Sequence, residues 1–403
     1  TPSEQPAGTP QVDRIHFLMF DATGYGGVAR SVNLLASRLA DTHEVHIHSL
    51  FRNRDVPPYP VDSRVAIHWL VDNRRGAWRR GRPRHDVFAL PSRRRLDSDR
   101  SSLEHGDPRG SAYTDLLLRR HLPRLAPGIL VTTRPMLHLA AARWASVSVL
   151  RIAQDHLNFE RRMRNHYVTS MLDEAVPMVD AFVTLTEADR RDYQRRYPGT
   201  LVEQIPNASP FELRQRAPLT SKVVVSAGRL VNRKGFDRLI AAWAALAPDL
   251  PEWRLDIFGE GTCRRALEAQ ITTSGMSNAV RLQGFTRDLD QVLASAAVYA
   301  MSSRAEGFPM VLLEAMSHGL PLVSFDCPRG PAEIVEDGVT GRLVTDGDVG
   351  AYTRALRELI SDEQRRRRMG AASYERARSY AMTTVSAQWE KLFREALDRR
   401  APR

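Results

Sequence analysis

Short apolar runs alternate with amphipathic stretches of ten or more residues along most of the chain. Ile15 to Phe20 reads as a buried strand, followed by a Gly-rich turn and a helix over Val28 to Leu39. Val45 to Leu50, Val65 to Leu70, Ile129 to Thr133, Val147 to Ala153 and Ala181 to Leu185 read as further strands. Leu116 to Leu125, Met163 to Val176 and Glu187 to Tyr197 carry helical spacing. A polar, Pro-marked segment from Pro206 to Pro218 then precedes a second series, with the domain boundary near Asn207 to Pro218. Its strands are Lys222 to Ala227, Trp253 to Phe258, Val280 to Gln283, Ala297 to Met301, Leu322 to Phe325 and Gly341 to Val344. Its helices are Phe236 to Leu246, Cys263 to Thr273, Leu289 to Ser295 and Met310 to His318, with a helical pattern from Tyr352 to Arg400. Strands alternating with helices predict parallel βαβ units and a doubly wound α/β sheet, here twice over. Ligands of such sheets bind beyond the carboxyl ends of the strands, and two facing sheets would place a site in the cleft between them.

At 403 residues, each of two domains can bury its own core without covalent staples. The two cysteines, Cys263 and Cys327, exclude a disulfide scaffold and leave no cysteine zinc cluster. No window approaches the roughly 20 apolar residues that span a bilayer. The polar start, Thr1 to Pro10, lacks the basic-then-apolar order of a signal peptide. The expected location is cytoplasmic, with peripheral attachment at the inner membrane face as the variant that basic charge allows.

Charge changes the picture more. The formal net charge is +11, and lysine occurs only at Lys222, Lys234 and Lys391 among 58 basic residues. Such arginine bias reads either as the habit of a GC-rich genome or as a fit to a polyanionic partner. The stretch from Asp72 to Arg109 holds eleven arginines against six acids and little apolar periodicity. It reads as a long mobile insertion, either a solvated loop or a docking element for an acceptor or a membrane surface. A nucleic-acid partner would call for aromatics interleaved with the arginines. Aromatics make up 7% and do not interleave.

Several strand ends carry candidate chemistry. Asp21 to Gly27 holds Gly24, Gly26 and Gly27 before a helix, suited either to an anion or to a tight turn. Gly228-Arg229-Leu-Val-Asn-Arg-Lys234-Gly235 puts two cations and a helix start beyond a strand, where a diphosphate would sit, although a solvated basic loop has the same composition. Glu306 lies in a loop before Pro309, a residue suited to a first helical turn, and Glu314 lies inside that helix. Backbone amides from Phe308 to Val311 and two carboxylates would serve a ligand with anionic and hydroxyl parts. His156 follows Asp155 at another strand end and reads as an acid, a base, a sugar contact or a structural histidine. Phe258 to Gly261 and Asp326 to Glu333 are Gly-containing turns at strand ends, equally suited to a site or to a turn alone.

Taken in order, Gly26-Gly27, His156, G-R-L-x-x-x-K-G at 228–235, F-G-E-G at 258–261, Q-G-F at 283–285 and the E-x7-E pair Glu306 and Glu314 resemble the retaining GT-B glycosyltransferases of family 4. The resemblance runs from about Arg14 to Phe393 and departs at Asp72 to Arg109. It implies an α/β GT-B fold of two Rossmann-like domains facing across a cleft. After a disordered tail at 1–12, these would be an acceptor domain at 13–207 with the insertion at 72–109 and a donor domain at 208–380. A terminal helix at 381–403 would cross back to the first domain. It implies transfer of a hexose or N-acetylhexosamine from a nucleotide sugar, UDP favoured over GDP, without a cofactor or a metal.

By that resemblance the catalytic set is His156, Arg229, Lys234 and Glu306. The donor-binding set is Gly26, Gly27, Gly228, Gly259, Phe285, Gly307, Phe308, Pro309, Met310, Val311 and Glu314. Arg229 and Lys234 would hold the diphosphate, Glu314 the ribose hydroxyls, and Glu306 with neighbouring amides the sugar hydroxyls. His156 would contact the sugar near its anomeric carbon. The acceptor is expected to be a glycan, with an anionic cell-wall, capsule or lipid-linked one as the leaning. A nucleotide-sugar epimerase, a disaccharide synthase or phosphorylase, and a basic polyanion-binding protein are the competing readings.

Overall fold

The computed structural model describes residues 13–74 and 110–400. The expected tail at 1–12 and all but the first three residues of the expected insertion lie outside these residues. The chain divides into two compact units.

Among the described residues, the first unit is built on a seven-stranded sheet. Its elements are β1 (Arg14–Asp21), α1 (Gly27–Leu39), β2 (Glu44–Arg52), β3 (Ala66–Asp72), α2 (Ala112–His121), β4 (Gly128–Thr132) and α3 (Pro135–Trp144). They continue with β5 (Val149–Gln154), α4 (Phe159–Met163), α5 (His166–Ala175), β6 (Ala181–Thr184), α6 (Glu187–Arg196) and β7 (Val202–Gln204). The strand order is β3-β2-β1-β4-β5-β6-β7, all pairs parallel. Ile15 of β1 aligns with Val45 on one side and Ile129 on the other. Every residue from Ile15 to Phe20 is buried, as a parallel strand covered on both faces requires. Helix α1 covers the sheet with Ala29, Val32, Leu35, Ala36 and Leu39 at helical spacing.

The second unit has six strands among its described residues: β8 (Val223–Ala227), β9 (Arg254–Phe258), β10 (Val280–Gly284), β11 (Val298–Met301), β12 (Leu322–Asp326) and β13 (Gly341–Thr345). Between and after them run α7 (Phe236–Ala244), α8 (Arg264–Thr273), α9 (Leu289–Ala294), α10 (Met310–Ser317), α11 (Pro331–Ile334), α12 (Val349–Ser361) and α13 (Glu363–Ala377). The order β10-β9-β8-β11-β12-β13 repeats the arrangement of the first sheet. One apolar cluster gathers Leu239, Trp243, Ile257 and Tyr352, and another gathers Leu312, Met316, Tyr299 and Leu185. A last helix, α14 (Met382–Arg400), buries Trp389, Leu392 and Phe393, and its residues from Ser386 onward group with the first unit.

Several boundaries differ from the sequence pattern for physical reasons. The helix expected over Met163 to Val176 is two helices, because the Asn165 side chain accepts from the amides of Tyr167 and Val168 and starts α5 afresh. The pattern from Tyr352 to Arg400 is likewise divided, with Asp362 capping α13 and accepting from Arg365 N. Helix α3 escapes the pattern because eight of its ten residues are buried, so no polar face marks a period. Among the described residues, no helix is long and apolar enough to cross a membrane.

Histidines gather on the first sheet, far from the strands' carboxyl ends. His16, His46, His48 and His68 lie on adjacent registers of β1, β2 and β3, and His121 reaches them from α2. Their nitrogens pair in two chains. His16 Nδ1 is 3.0 Å from His48 Nε2, and His48 Nδ1 is 2.8 Å from His121 Nε2. His46 Nδ1 is 3.0 Å from His68 Nε2.

Candidate functional site

In both sheets the order reverses at one place, between β1 and β4 and between β8 and β11. Loops leaving two such strands diverge and open a crevice at the carboxyl edge. In the second unit, the loop after β8 carries Gly228 to Gly235, and the loop after β11 carries Ser302 to Pro309. The structure brings Lys234 and Glu306 together there: Lys234 Nζ donates to Glu306 Oε1 at 2.6 Å. Ser303 Oγ donates to the same oxygen at 2.6 Å. Glu306 is 8% exposed, so its carboxylate is held by partners rather than by water. Its amide donates to Pro328 O at 3.1 Å and its carbonyl accepts from Arg329 N at 3.2 Å, tying this loop to the one after β12.

Close backbone contacts explain the glycines. Gly259 has φ +143°, and a Cβ there would stand 1.8 Å from Gly228 O. Gly259 N also donates to Gly284 O at 2.7 Å, so the loops after β8, β9 and β10 lie against one another. Gly235 has φ +64°, and a Cβ there would stand 2.0 Å from Ser302 O. No side chain larger than hydrogen fits at either place without moving backbone. Gly228 lies beside the Lys234 stem, and a Cβ at this position would meet Lys234 Cε at 3.4 Å.

The other expected donor residues of the second unit lie on the loop after β8, at the start of and inside α10, and just past β10. Arg229 is exposed on the same loop. Gly307, Phe308, Pro309 and Met310 are buried at the start of α10, and Val311 is half-buried. Pro309 is the N-cap and offers no side-chain cap to the first amides of the helix. Glu314, 2% exposed, sits inside α10. Phe285, just past β10, presents 61% of its surface. Cys327 is buried beside the loop, and burial with the nearby Glu306 charge pushes its thiol up to about 12, which makes it inert.

The remaining candidates belong to the first unit. Gly26 and Gly27 are exposed at the start of α1, after the carboxyl end of β1. His156 follows β5, half-buried, and its Nε2 is buried without a hydrogen-bond partner among the described residues. Burial lowers its pKa to about 4, partly offset by Asp155, so the imidazole is neutral at pH 7. Asp155 itself is held by Arg162 on both oxygens, at 2.6 to 3.0 Å, and by the Tyr193 hydroxyl at 3.0 Å.

Sequence reasoning missed a set of arginine–aromatic pairs at the carboxyl edge of the first sheet. Arg134, after β4, lies 3.9 Å from the Phe20 ring centre, and Arg54, after β2, lies 4.4 Å from that of Tyr25. Arg52 and Trp69 (5.0 Å) and Arg30 and Tyr59 (5.3 Å) form two more. In an arginine-rich chain no spacing marks these residues. They meet because parallel pairing sets neighbouring strands, the loops after them and the start of α1 side by side.

Residues 211–376 match the family described as Glycosyl transferases group 1. The chain is 34% identical over 392 residues to an exopolysaccharide phosphotransferase of Streptomyces coelicolor, aligning 96% of this chain with 41% of that protein. It therefore spans about two fifths of that relative's length. It is 28% identical to the amylovoran biosynthesis glycosyltransferase AmsD of Erwinia amylovora, over 91% of this chain and 95% of that one. Among solved structures, a variant of S. aureus TarM in complex with fondaparinux, α-GlcNAc-glycerol and UDP aligns with a TM-score of 0.75 at 15% identity, covering 94% and 99% of the two chains. Anabaena HepE in complex with UDP aligns with a TM-score of 0.71 at 18% identity, covering 94% and 99%. The fold is α/β of the GT-B type, with two Rossmann-like parallel-sheet domains.

Proposed function

We propose that the protein is a retaining glycosyltransferase that moves a hexose or N-acetylhexosamine from a UDP-sugar to an anionic glycan. The observation that carries the reading is the Lys234–Glu306 pair at the switch point of the second sheet. It sets an ammonium and a carboxylate side by side, as a diphosphate beside a sugar requires. The UDP in the TarM and HepE structures supports uridine over guanosine. The names of the exopolysaccharide and amylovoran relatives support a polysaccharide acceptor.

In this reading the bond between the anomeric carbon and the diphosphate oxygen breaks through an oxocarbenium-like state. The electron pair stays on the leaving diphosphate, where Arg229, Lys234 and the amides opening α10 meet the growing negative charge without a metal. The acceptor hydroxyl attacks from the same face, and its proton passes to the leaving phosphate. Glu306 accepts from sugar hydroxyls and Glu314 from ribose hydroxyls. His156, neutral at pH 7, serves as a hydrogen-bonding partner rather than an acid.

A thermal-shift series tests the donor. UDP at about 100 times its Kd is expected to stabilise the protein by about 2.7 kcal/mol, with a clear rise in Tm, and GDP is expected to do much less. No response to any nucleoside diphosphate would overturn the reading. Proton NMR of the product should show the donor's anomeric configuration kept.

The arginine–aromatic pairs support the anionic acceptor, since several guanidinium charges gathered on rings at one edge of a sheet attract phosphate or carboxylate. Arg54→Ala and Arg134→Ala are expected to raise KM for a phosphate-bearing oligosaccharide about tenfold each, one charge-assisted contact apiece, while donor KM stays the same. Equal use of neutral and anionic acceptors by both variants and the parent would remove the anionic assignment.

A further inference from the structure

We propose that Arg304 is a positioning residue that holds the Lys234 loop and the Glu306 loop in one fixed relation; the inference rests on the donor reading above. Arg304 lies two residues before Glu306. Its amide donates to Arg233 O at 2.8 Å, and its Nη1 donates to Asn232 O at 2.8 Å. Both acceptors belong to the single turn, Asn232–Lys234, that delivers the ammonium. The same guanidinium grips Asp237 in the first turn of α7 on both oxygens, Nη1 to Oδ1 at 2.7 Å and Nη2 to Oδ2 at 2.5 Å.

A second point of fixation lies next to it. Ser302 Oγ donates to Lys234 O at 3.1 Å, and Ser302 O abuts Gly235. One such contact would leave the two loops free to rotate about it. Two, on either side of Lys234, fix both the distance and the direction from which Nζ meets Glu306. The fork geometry of arginine makes this feasible, because one planar group reaches a carboxylate and a carbonyl at once. Exposure of the ion pair, 29% at Arg304 and 47% at Asp237, gives it little weight in overall stability. Its effect is expected on alignment, where an error of about 1 Å costs on the order of 100-fold in rate. In this scheme Arg304 touches neither substrate.

The scarcity of lysine supplies a readout besides activity. Reductive methylation with ¹³C-formaldehyde labels the α-amino terminus and the three lysines Lys222, Lys234 and Lys391, and the Lys234 signal is identified by its loss in Lys234→Arg. In the parent protein it is expected to stand apart from the other two, and Glu306→Gln should move it towards them. Arg304→Met is expected to move it in the same direction, Asp237→Asn less far, and Arg304→Lys to restore it only in part. In turnover, Arg304→Met should lower kcat about 10- to 100-fold, with the Kd for UDP within about threefold and an unchanged Tm. An unmoved Lys234 signal in folded Arg304→Met overturns the proposal, as does a kcat loss that tracks only the loss of folded protein. If the parent protein turns over no nucleotide sugar, the donor reading fails, and the Lys234 signal still decides whether Arg304 sets the pair.

Discussion

Lys234→Ala and Glu306→Ala are each expected to lower glycosyl transfer by about 100- to 1,000-fold, the scale seen when one preorganised charge-stabilising group is removed. In the proposed reading, Lys234 is the ammonium that meets the charge growing on the leaving diphosphate. Without it, that charge develops against Arg229 and backbone amides alone. Removing Glu306 leaves the ammonium without the carboxylate 2.6 Å away and, in the proposed reading, strips the sugar of an acceptor. Folding should survive both changes: in Glu306→Ala, Lys234 keeps 18% exposure and can turn to water, and in Lys234→Ala, Glu306 keeps the Ser303 hydroxyl at 2.6 Å. Circular dichroism and Tm close to the parent's, measured beside turnover, check this. The double variant is expected to lose little more than the worse single one, since groups that act as a unit are not additive. Lys234→Arg tests the identity of the cation. Its stem runs against Gly228, and a planar guanidinium is longer and wider than the ammonium it would replace. A fall of about tenfold or more is expected, although arginine is the residue this chain uses nearly everywhere else. Parent-like turnover in either alanine variant would sink the assignment of the pair.

That pair was legible in the sequence because each member sits just past an apolar run, and strand ends in a doubly wound sheet are where loops converge. Reading β8 and β11 as strands was enough to place both residues on one edge. The order β10-β9-β8-β11-β12-β13 then made them neighbours, which spacing alone does not state. Arg304 was invisible for the opposite reason. Among 58 basic residues it has no compositional contrast, and its partners Asn232 and Asp237 lie about seventy positions away. Helix α3 was hidden by uniform burial, which erases the polar face that periodicity needs. The histidine chains were hidden because His16, His48 and His121 share no local motif. Strand register aligns Leu18 with His48 and His48 with His68, and the helix adds the fifth ring. Tertiary placement, rather than propensity, decides each of these cases.

Lowering the pH from 7.5 to about 4.5 is expected to destabilise the first unit, with the loss beginning near pH 6.5, well above the carboxylate range. Four histidines there, three buried and His156 half-buried, are held neutral. His16 and His156 are lowered to about 4, His138 to about 3, and His48 well below its ordinary value, each with burial as the largest cause. The hydrogen bonds oppose an added proton as well. The Ala126 carbonyl can only accept, so neutral His16 donates to it from Nε2 at 3.2 Å and must accept at Nδ1. That nitrogen therefore receives the Nε2–H of His48, whose Nδ1 in turn receives the Nε2–H of His121. A proton added to His16 at Nδ1 would aim two N–H groups at each other across 3.0 Å, and Arg14 and His46 repel it further. His138 faces Arg134, Arg162 and His156, whose repulsion outweighs part of the pull from Asp155. The unfolded chain meets none of this and binds protons from about pH 6.5 downwards. Between that value and the folded pKa the unfolded state holds more protons, so stability rises with pH and falls on acidification. One histidine lowered to about 4 removes roughly 2–3 kcal/mol by pH 4.5, and several together remove less than their sum because they repel one another. Carboxylates with depressed pKa values, Asp155 among them, are lost only below this window. Urea titrations at pH 7.5, 6 and 4.5, read by pulsed hydrogen exchange at one labelling pH, resolve the two units peptide by peptide. The first unit's midpoint should fall steadily while the second unit's holds, and His138→Leu should flatten the first unit's slope. A first-unit midpoint independent of pH from 7.5 to 4.5 would show that these histidines take up protons without cost to the fold.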